Sequence, residues 1–180
     1  MNDKKLAQAI YKIAHLEGTF KLRSGLESNE YFDKYRFEAQ PRLLKSIAMA
    51  MRPLIPAGTD ALAGLEMGGI PIATALALES GLPVVFVRKE AKGYGTNRVA
   101  EGLETLKGLR VCMVEDVITT GGQVILSAED LRREGAIIDR VICVISRQQG
   151  GEDKLKAAGL DMAPLYTQAQ LKEAAAMPAL

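Results

Sequence analysis

Residues Val111 to Gln123 read VCMVEDVITTGGQ, and they carry more recognisable chemistry than any other stretch of the chain. An apolar run meets two adjacent acids, Glu115 and Asp116, and Val117 and Ile118 lead on to Thr119, Thr120, Gly121 and Gly122. The run reads as a buried strand that ends at the acids, with both carboxylates exposed at its carboxyl end, the side on which open α/β sheets bind ligands. Two neighbouring carboxylates can accept the hydrogen bonds of a vicinal diol. The Thr-Thr-Gly-Gly turn offers hydroxyls and small or absent side chains, so backbone amides can converge on a phosphate where the next helix begins. A diol at one end and a phosphate at the other describe a phosphorylated sugar.

Four further stretches carry chemistry. Arg88, Lys89, Lys92 and Arg98 crowd a segment with one acid, Glu90, and with Gly93 and Gly95, which reads as a mobile cationic lid for a phosphate-rich ligand. Gly64 to Pro71 is a glycine-rich turn from strand to helix, where amides can approach an anion closely. Arg147 leaves the end of an apolar run on the same side of the expected sheet as residues 115–123. Near the start, residues 20–28 alternate apolar and polar side chains as a small edge hairpin would, and Tyr31 and Phe32 follow.

The elements that must position these residues alternate from residue 61 onward, so the expected fold class is α/β, a mostly parallel sheet covered by helices. Strands are expected at 61–65, 83–87, 110–115 and 140–146, and helices at 70–80, 122–134 and 152–158. Gly81, Gly135 and Gly159 stand where left-handed residues close those helices. Two amphipathic helices are expected earlier, at 4–16 and, opening at Pro41, at 41–52. The only histidine, His15, falls in the first of them and is expected to pack or face solvent.

Composition narrows the function classes. The 180 residues, 48% hydrophobic and 25% charged, suit one compact core. The 23 basic and 22 acidic side chains leave +1, so no global charge points to nucleic acid or an anionic membrane. No apolar stretch approaches the roughly 18 residues of a spanning helix, and the amino-terminal segment is amphipathic, so a cytoplasmic location is expected. Cys112 and Cys143 lie in strand-like runs and are expected to be buried thiols.

Hydrophobic strand, Glu-Asp, Val-Ile, Thr-Thr-Gly-Gly resembles the 5-phosphoribosyl-1-pyrophosphate (PRPP) motif of type I phosphoribosyltransferases. Within them, Phe20-Lys21-Leu22-Arg23-Ser24-Gly25, the pair Tyr31-Phe32, Arg88-Lys89-Glu90-Ala91-Lys92 and Arg147-Gln148-Gln149-Gly150 resemble orotate phosphoribosyltransferases over roughly residues 18–166. That resemblance implies a small amino-terminal hood within residues 1–40, a PRPP-binding core over about 41–166 and a helical tail at 167–180, all in one domain. It implies that Glu115 and Asp116 hold the ribose hydroxyls, that Val117, Ile118, Thr119, Thr120, Gly121, Gly122 and Gln123 form the phosphate turn, and that Arg23, Arg88, Lys89, Lys92 and Tyr94 reach PRPP. Asp116, Glu115 and Lys92 are the implied catalytic residues. Met67, Gly68 and Gly69 fall in the implied pyrophosphate loop, and Tyr31, Phe32, Thr119 and Arg147 at the implied orotate site. Mg²⁺ would bind through PRPP and water, with no direct protein ligand, and a homodimer would share lid residues. Three departures stand out: Gln123 replaces a small residue, Tyr94 a frequent His, and Met67-Gly68 a Tyr-Lys found in some members. A type I enzyme for another base and a non-catalytic PRPP-sensing regulator are the alternative readings.

Overall fold

The computed structural model describes residues 3–21, 25, 27–89 and 99–178. Helix α1 (Asp3–Ala14) leads into a two-stranded antiparallel hairpin, β1 (His15–Lys21) and β2 (Glu27–Phe32). A single turn, α2 (Tyr35–Glu38), and α3 (Pro41–Met51) follow. The core then runs β3 (Ala61–Leu65), α4 (Gly69–Ser80), β4 (Val84–Val87), β5 (Ala100–Glu101), β6 (Arg110–Ile118), α5 (Gly122–Arg133), β7 (Ile137–Ser146), α6 (Gly151–Ala157), β8 (Asp161–Thr167) and α7 (Gln168–Ala176).

The six core strands form one sheet in the order β5-β4-β3-β6-β7-β8, parallel except for the β4–β5 pair. From β3 the chain winds outward through β4 and β5, then returns to place β6 on the other side of β3. That reversal opens a crevice beyond the carboxyl ends of β3 and β6, where open α/β sheets take their ligands. Along the central strands, successive side chains feed two separate cores. Cys112, Val114, Ile142 and Val144 pack among α1, α3, α4 and α7, whereas Val111, Met113, Val141 and Cys143 pack among α5 and α6. Both cysteines are free and buried.

Several boundaries differ from those expected, each for a local reason. Strand β6 does not stop at Glu115, because pairing with β7 continues to Ile118 opposite Ser146. The acid pair therefore lies inside the strand. The first helix ends at Ala14, and His15 enters β1 opposite Phe32 instead, its ring stacked on Tyr11 at 4.7 Å. The hairpin is a sheet of its own and not an edge of the main one. Strand β8 carries Pro164, which discourages a strand assignment, yet it pairs on one side only and an edge strand tolerates the missing donor.

The carboxyl-terminal helix is structural. Thr167 and Gln170 form a reciprocal cap at its start, Gln8 donates to the Ala174 carbonyl at 2.9 Å, and Tyr166 donates to Asp3 Oδ1 at 2.6 Å. Leu171 is fully buried against this layer. Leu171→Ala is expected to cost about 2–5 kcal/mol, read as a lower midpoint in urea unfolding; an unchanged midpoint would detach α7 from the core.

Candidate active site

Period-two alternation through Cys112 and Val114 carries Asp116 to the helical layer that contains α2. Its side chain is wholly buried there. Oδ1 accepts from the Val117 amide at 2.5 Å, and Oδ2 meets the Lys34 ammonium at 2.6 Å. Glu38, also buried, lies beside it with Oε1 lacking a hydrogen-bond partner. Glu115 folds its Oε1 back onto the Asp116 amide at 2.9 Å. Both acids were expected to stand exposed at a strand end; continued β6 pairing and the cover of α2 bury Asp116 instead.

Three acids and one lysine in so small a space cannot all carry charge. Burial, reinforced by neighbouring Asp116, pushes Glu38 up to about 9. Burial and the same neighbour push Glu115 well above the usual carboxylate range. Burial opposes ionisation of Asp116 too, but hydrogen bonds with Glu115 and Lys34 and the Lys34 charge win, and its pKa is lowered. Desolvation likewise works against the Lys34 ammonium, yet Asp116 raises its pKa. At neutral pH the cluster is an ion pair beside a protonated Glu38, with Glu115 shifted toward its neutral form. Its negative potential toward a ligand is therefore weaker than two free carboxylates would give.

Beyond Ile118 the chain turns through Thr119, Thr120 and Gly121 into α5. Gly121 has φ 72° and presents no side-chain cap. An added Cβ would lie 3.0 Å from the Leu155 side chain, so glycine suits both the backbone and the packing. Ile125 donates to the Gly121 carbonyl at 3.1 Å, while the amides of Gly122, Gln123 and Val124 precede that first helical bond. Such amides have no partner within the helix and suit an anion. Gln123 is exposed at this turn.

The loop between β3 and α4 holds Met67, exposed, together with Gly68 and Gly69. Glu66 ties it to the end of β4 by accepting from the Lys89 amide at 3.0 Å. Arg88, its Nε 4.0 Å from Glu101, shares a cavity of about 430 Å³ with Glu66 and Met67. Lys89 is exposed beside it. A Cβ on Gly68 would lie 1.6 Å from Asp116 Oδ2, which gives a steric reason for glycine at this position.

A second cavity, of about 270 Å³, brings together Tyr31, Phe32, Lys34, Val117, Thr119, Ile145, Arg147 and Gln168. The Arg147 amide donates to the Ile118 carbonyl at 2.9 Å, and its Nε donates to Gln168 Oε1 at 3.2 Å. Tyr31, Phe32, Thr119 and Arg147 thus share one cavity. Arg23, Lys92 and Tyr94, with the rest of residues 90–98, lie outside the described residues. Sequence reasoning missed Lys34, Glu38 and Gln168. Lys34 lies two residues beyond the Tyr31-Phe32 pair, and the Thr167-x-x-Gln170 cap could have located Gln168; nothing local marks Glu38.

The phosphoribosyl transferase domain family matches residues 35–160. An orotate phosphoribosyltransferase of Nocardioides sp. is 49% identical over 172 residues, 96% of either chain. The chain belongs to the orotate phosphoribosyltransferase family. Another member, from Methanocella arvoryzae, is 43% identical over 154 residues, covering 86% of this chain and 87% of that one. Among solved structures, Mycobacterium tuberculosis orotate phosphoribosyltransferase in complex with PRPP superposes with a TM-score of 0.81 at 27% identity, covering 94% and 98% of the two chains. The type I fold, with its mostly parallel sheet flanked by helices, is thus shared across the family.

Two outcomes follow from the buried cluster. Gly68→Ala forces a methyl against Asp116 and is expected to cost about 1–3 kcal/mol, measured by urea unfolding; full stability would mean that the loop yields freely. Glu38 binds its proton more tightly folded than unfolded, so between pH 4.5 and about 9 the folded state holds more protons and stability falls as pH rises. Glu38→Gln should flatten that decline in Tm; parallel profiles for wild type and variant would show that Glu38 ionises without cost.

Proposed function

We propose that the protein transfers the 5-phosphoribosyl group of PRPP to orotate, giving orotidine 5′-monophosphate and diphosphate in pyrimidine biosynthesis. The observation that carries this reading is the convergence of Arg147, Tyr31 and Phe32 on one cavity whose wall continues into Val117 and Thr119, at the start of the phosphate turn. A planar guanidinium matches the orotate carboxylate, and Gln168 holds it in place. The aromatic pair supplies faces for the pyrimidine ring. Amides of residues 119–123 take the 5′-phosphate, and Glu115 and Asp116 face the ribose hydroxyls.

As the ribose C1–O bond to diphosphate breaks and the pyrimidine nitrogen bonds to C1, positive charge grows on the sugar and negative charge on the leaving group. The ionised Asp116 favours the first. Arg88 and Lys89, with Lys92 and Arg23, stabilise the second, and Tyr94 lies in the same lid segment as Lys92. Met67, Gly68 and Gly69 offer the diphosphate backbone groups and no cation. Among the described residues no group of three His, Cys, Asp or Glu could hold a metal ion. Mg²⁺ suits this donor set only as a companion of the diphosphate, whose charge it would help neutralise. The reading includes a single catalytic domain, a cytoplasmic location and a homodimer with lid lysines shared between subunits. Among the described residues no helix is long and apolar enough to cross a membrane.

With PRPP and Mg²⁺ present, orotate alone among orotate, uracil, adenine, guanine and xanthine should yield nucleotide and diphosphate. Arg147→Ala should lower kcat/KM for orotate roughly 30- to 100-fold, as loss of a charged hydrogen bond implies. Turnover of another base would overturn the base assignment, and PRPP binding without turnover would make the protein a sensor.

A further inference from the structure

Asp116 is wholly buried, and both of its oxygens are already approached by donors. One oxygen is held by the Val117 amide at 2.5 Å, a neighbour in the same strand, and the other by Lys34 at 2.6 Å. The Val117 N–H is fixed by its place in the strand, whereas the lysine approach leaves Oδ2 without a well-aligned hydrogen bond and can yield to a ribose hydroxyl. Lys34 has somewhere to go. Its side chain is about one-third exposed, against none for Asp116, and it lines the same cavity as Arg147, Tyr31 and Phe32. Its backbone is fixed by its neighbours: Asp33 donates its amide to the Ala14 carbonyl at 2.8 Å and accepts the Tyr35 amide at 3.2 Å. The stem is thus anchored while the ammonium stands between a buried carboxylate and a pocket for an anionic base. Gly68 keeps that space open, since any side chain there would meet the same Asp116 oxygen.

We propose that Lys34 is a specificity-determining residue that passes from Asp116 to the carboxylate of the base, so that filling the ribose half of the site strengthens binding in the base half. Hydroxyls that take Asp116 release the ammonium, and a base carboxylate that draws the ammonium away releases Asp116. By linkage the two effects are equal in size, and couplings of this kind are commonly about 5- to 150-fold. A base without a carboxylate gains nothing from the released lysine. Lys34 thereby adds to Arg147 a second reason for preferring an anionic pyrimidine. This inference rests on the orotate reading.

The test measures orotate and uracil affinities by calorimetry, with and without saturating ribose 5-phosphate, which carries the diol and phosphate but no leaving group. In wild type, ribose 5-phosphate should tighten orotate about tenfold and leave uracil unmoved. In Lys34→Gln, orotate should bind more weakly and the tightening should vanish, with Lys34→Arg restoring part of it. Should Lys34→Gln not fold because Asp116 is left unpaired, the double variant Lys34→Met/Asp116→Asn removes both charges and must likewise lose the tightening. Tightening that persists in either variant, or orotate and uracil weakened alike, overturns the proposal. Failure of wild type to bind orotate while binding another base overturns the orotate reading instead.

Discussion

Asp116 is a fully buried carboxylate, and the architecture around it makes that charge bearable. An isolated ion of this kind would lose its charge or disrupt the fold, because burial of an unpaired carboxylate is among the costliest events in a protein. Lys34 supplies the counter-charge from the residue that links the hairpin to α2, the Val117 amide supplies a donor from the same strand, and Gly68 gives up its side chain to leave room. Hairpin, sheet and the turn at Gly68 are therefore coupled through one carboxylate. A shift in any of the three disturbs the other two.

The surrounding acids extend the same constraint. With a single lysine available, Glu38 keeps its proton at neutral pH and Glu115 is shifted toward its neutral form, so the cluster avoids a concentration of negative charge that the buried site could not support. A site for a diphosphate-bearing sugar gains from this restraint, since several ionised acids would repel the leaving group they sit near. The cations that face it lie on a different strand: Arg88 and Lys89 leave β4, across β3 from the acids on β6. Arg88 and Lys89 thus stand across the crevice opened by the β3–β6 reversal from the charge-compensated acid cluster.

Much of this was legible in the sequence because the signals are local. Val111 to Gln123 names a strand, a turn and a helix start in one stretch, and Ala61 to Leu65 is a strand with the bounds its apolar residues imply. The misses share a different cause. Whether β6 stops at Glu115 or runs to Ile118 depends on a partner strand many residues away, and the burial of Asp116 depends on the α2 turn covering it. Glu38 is a charged residue between apolar Phe37 and Ala39, and its burial comes from tertiary packing, not from its own polarity. Strand β8 was hidden by Pro164, whose missing amide matters only if a further strand lies alongside.

The positions where local reading failed are also the ones where charge meets burial. A sequence pattern records which residues are polar but not which polar residues the fold will desolvate. That depends on shape: the bare Gly68 against Asp116, and the approach of Lys34 from outside the core sheet. Lysine rather than arginine suits that place. Its compact ammonium on a flexible stem can serve a buried oxygen on one side and an open cavity on the other, whereas a planar fork fits one partner bidentately. Arg147 has the complementary task, with its backbone fixed beside Ile118 and its guanidinium held by Gln168. One cation is held by a neighbouring side chain, and the other stands between a buried carboxylate and an open cavity.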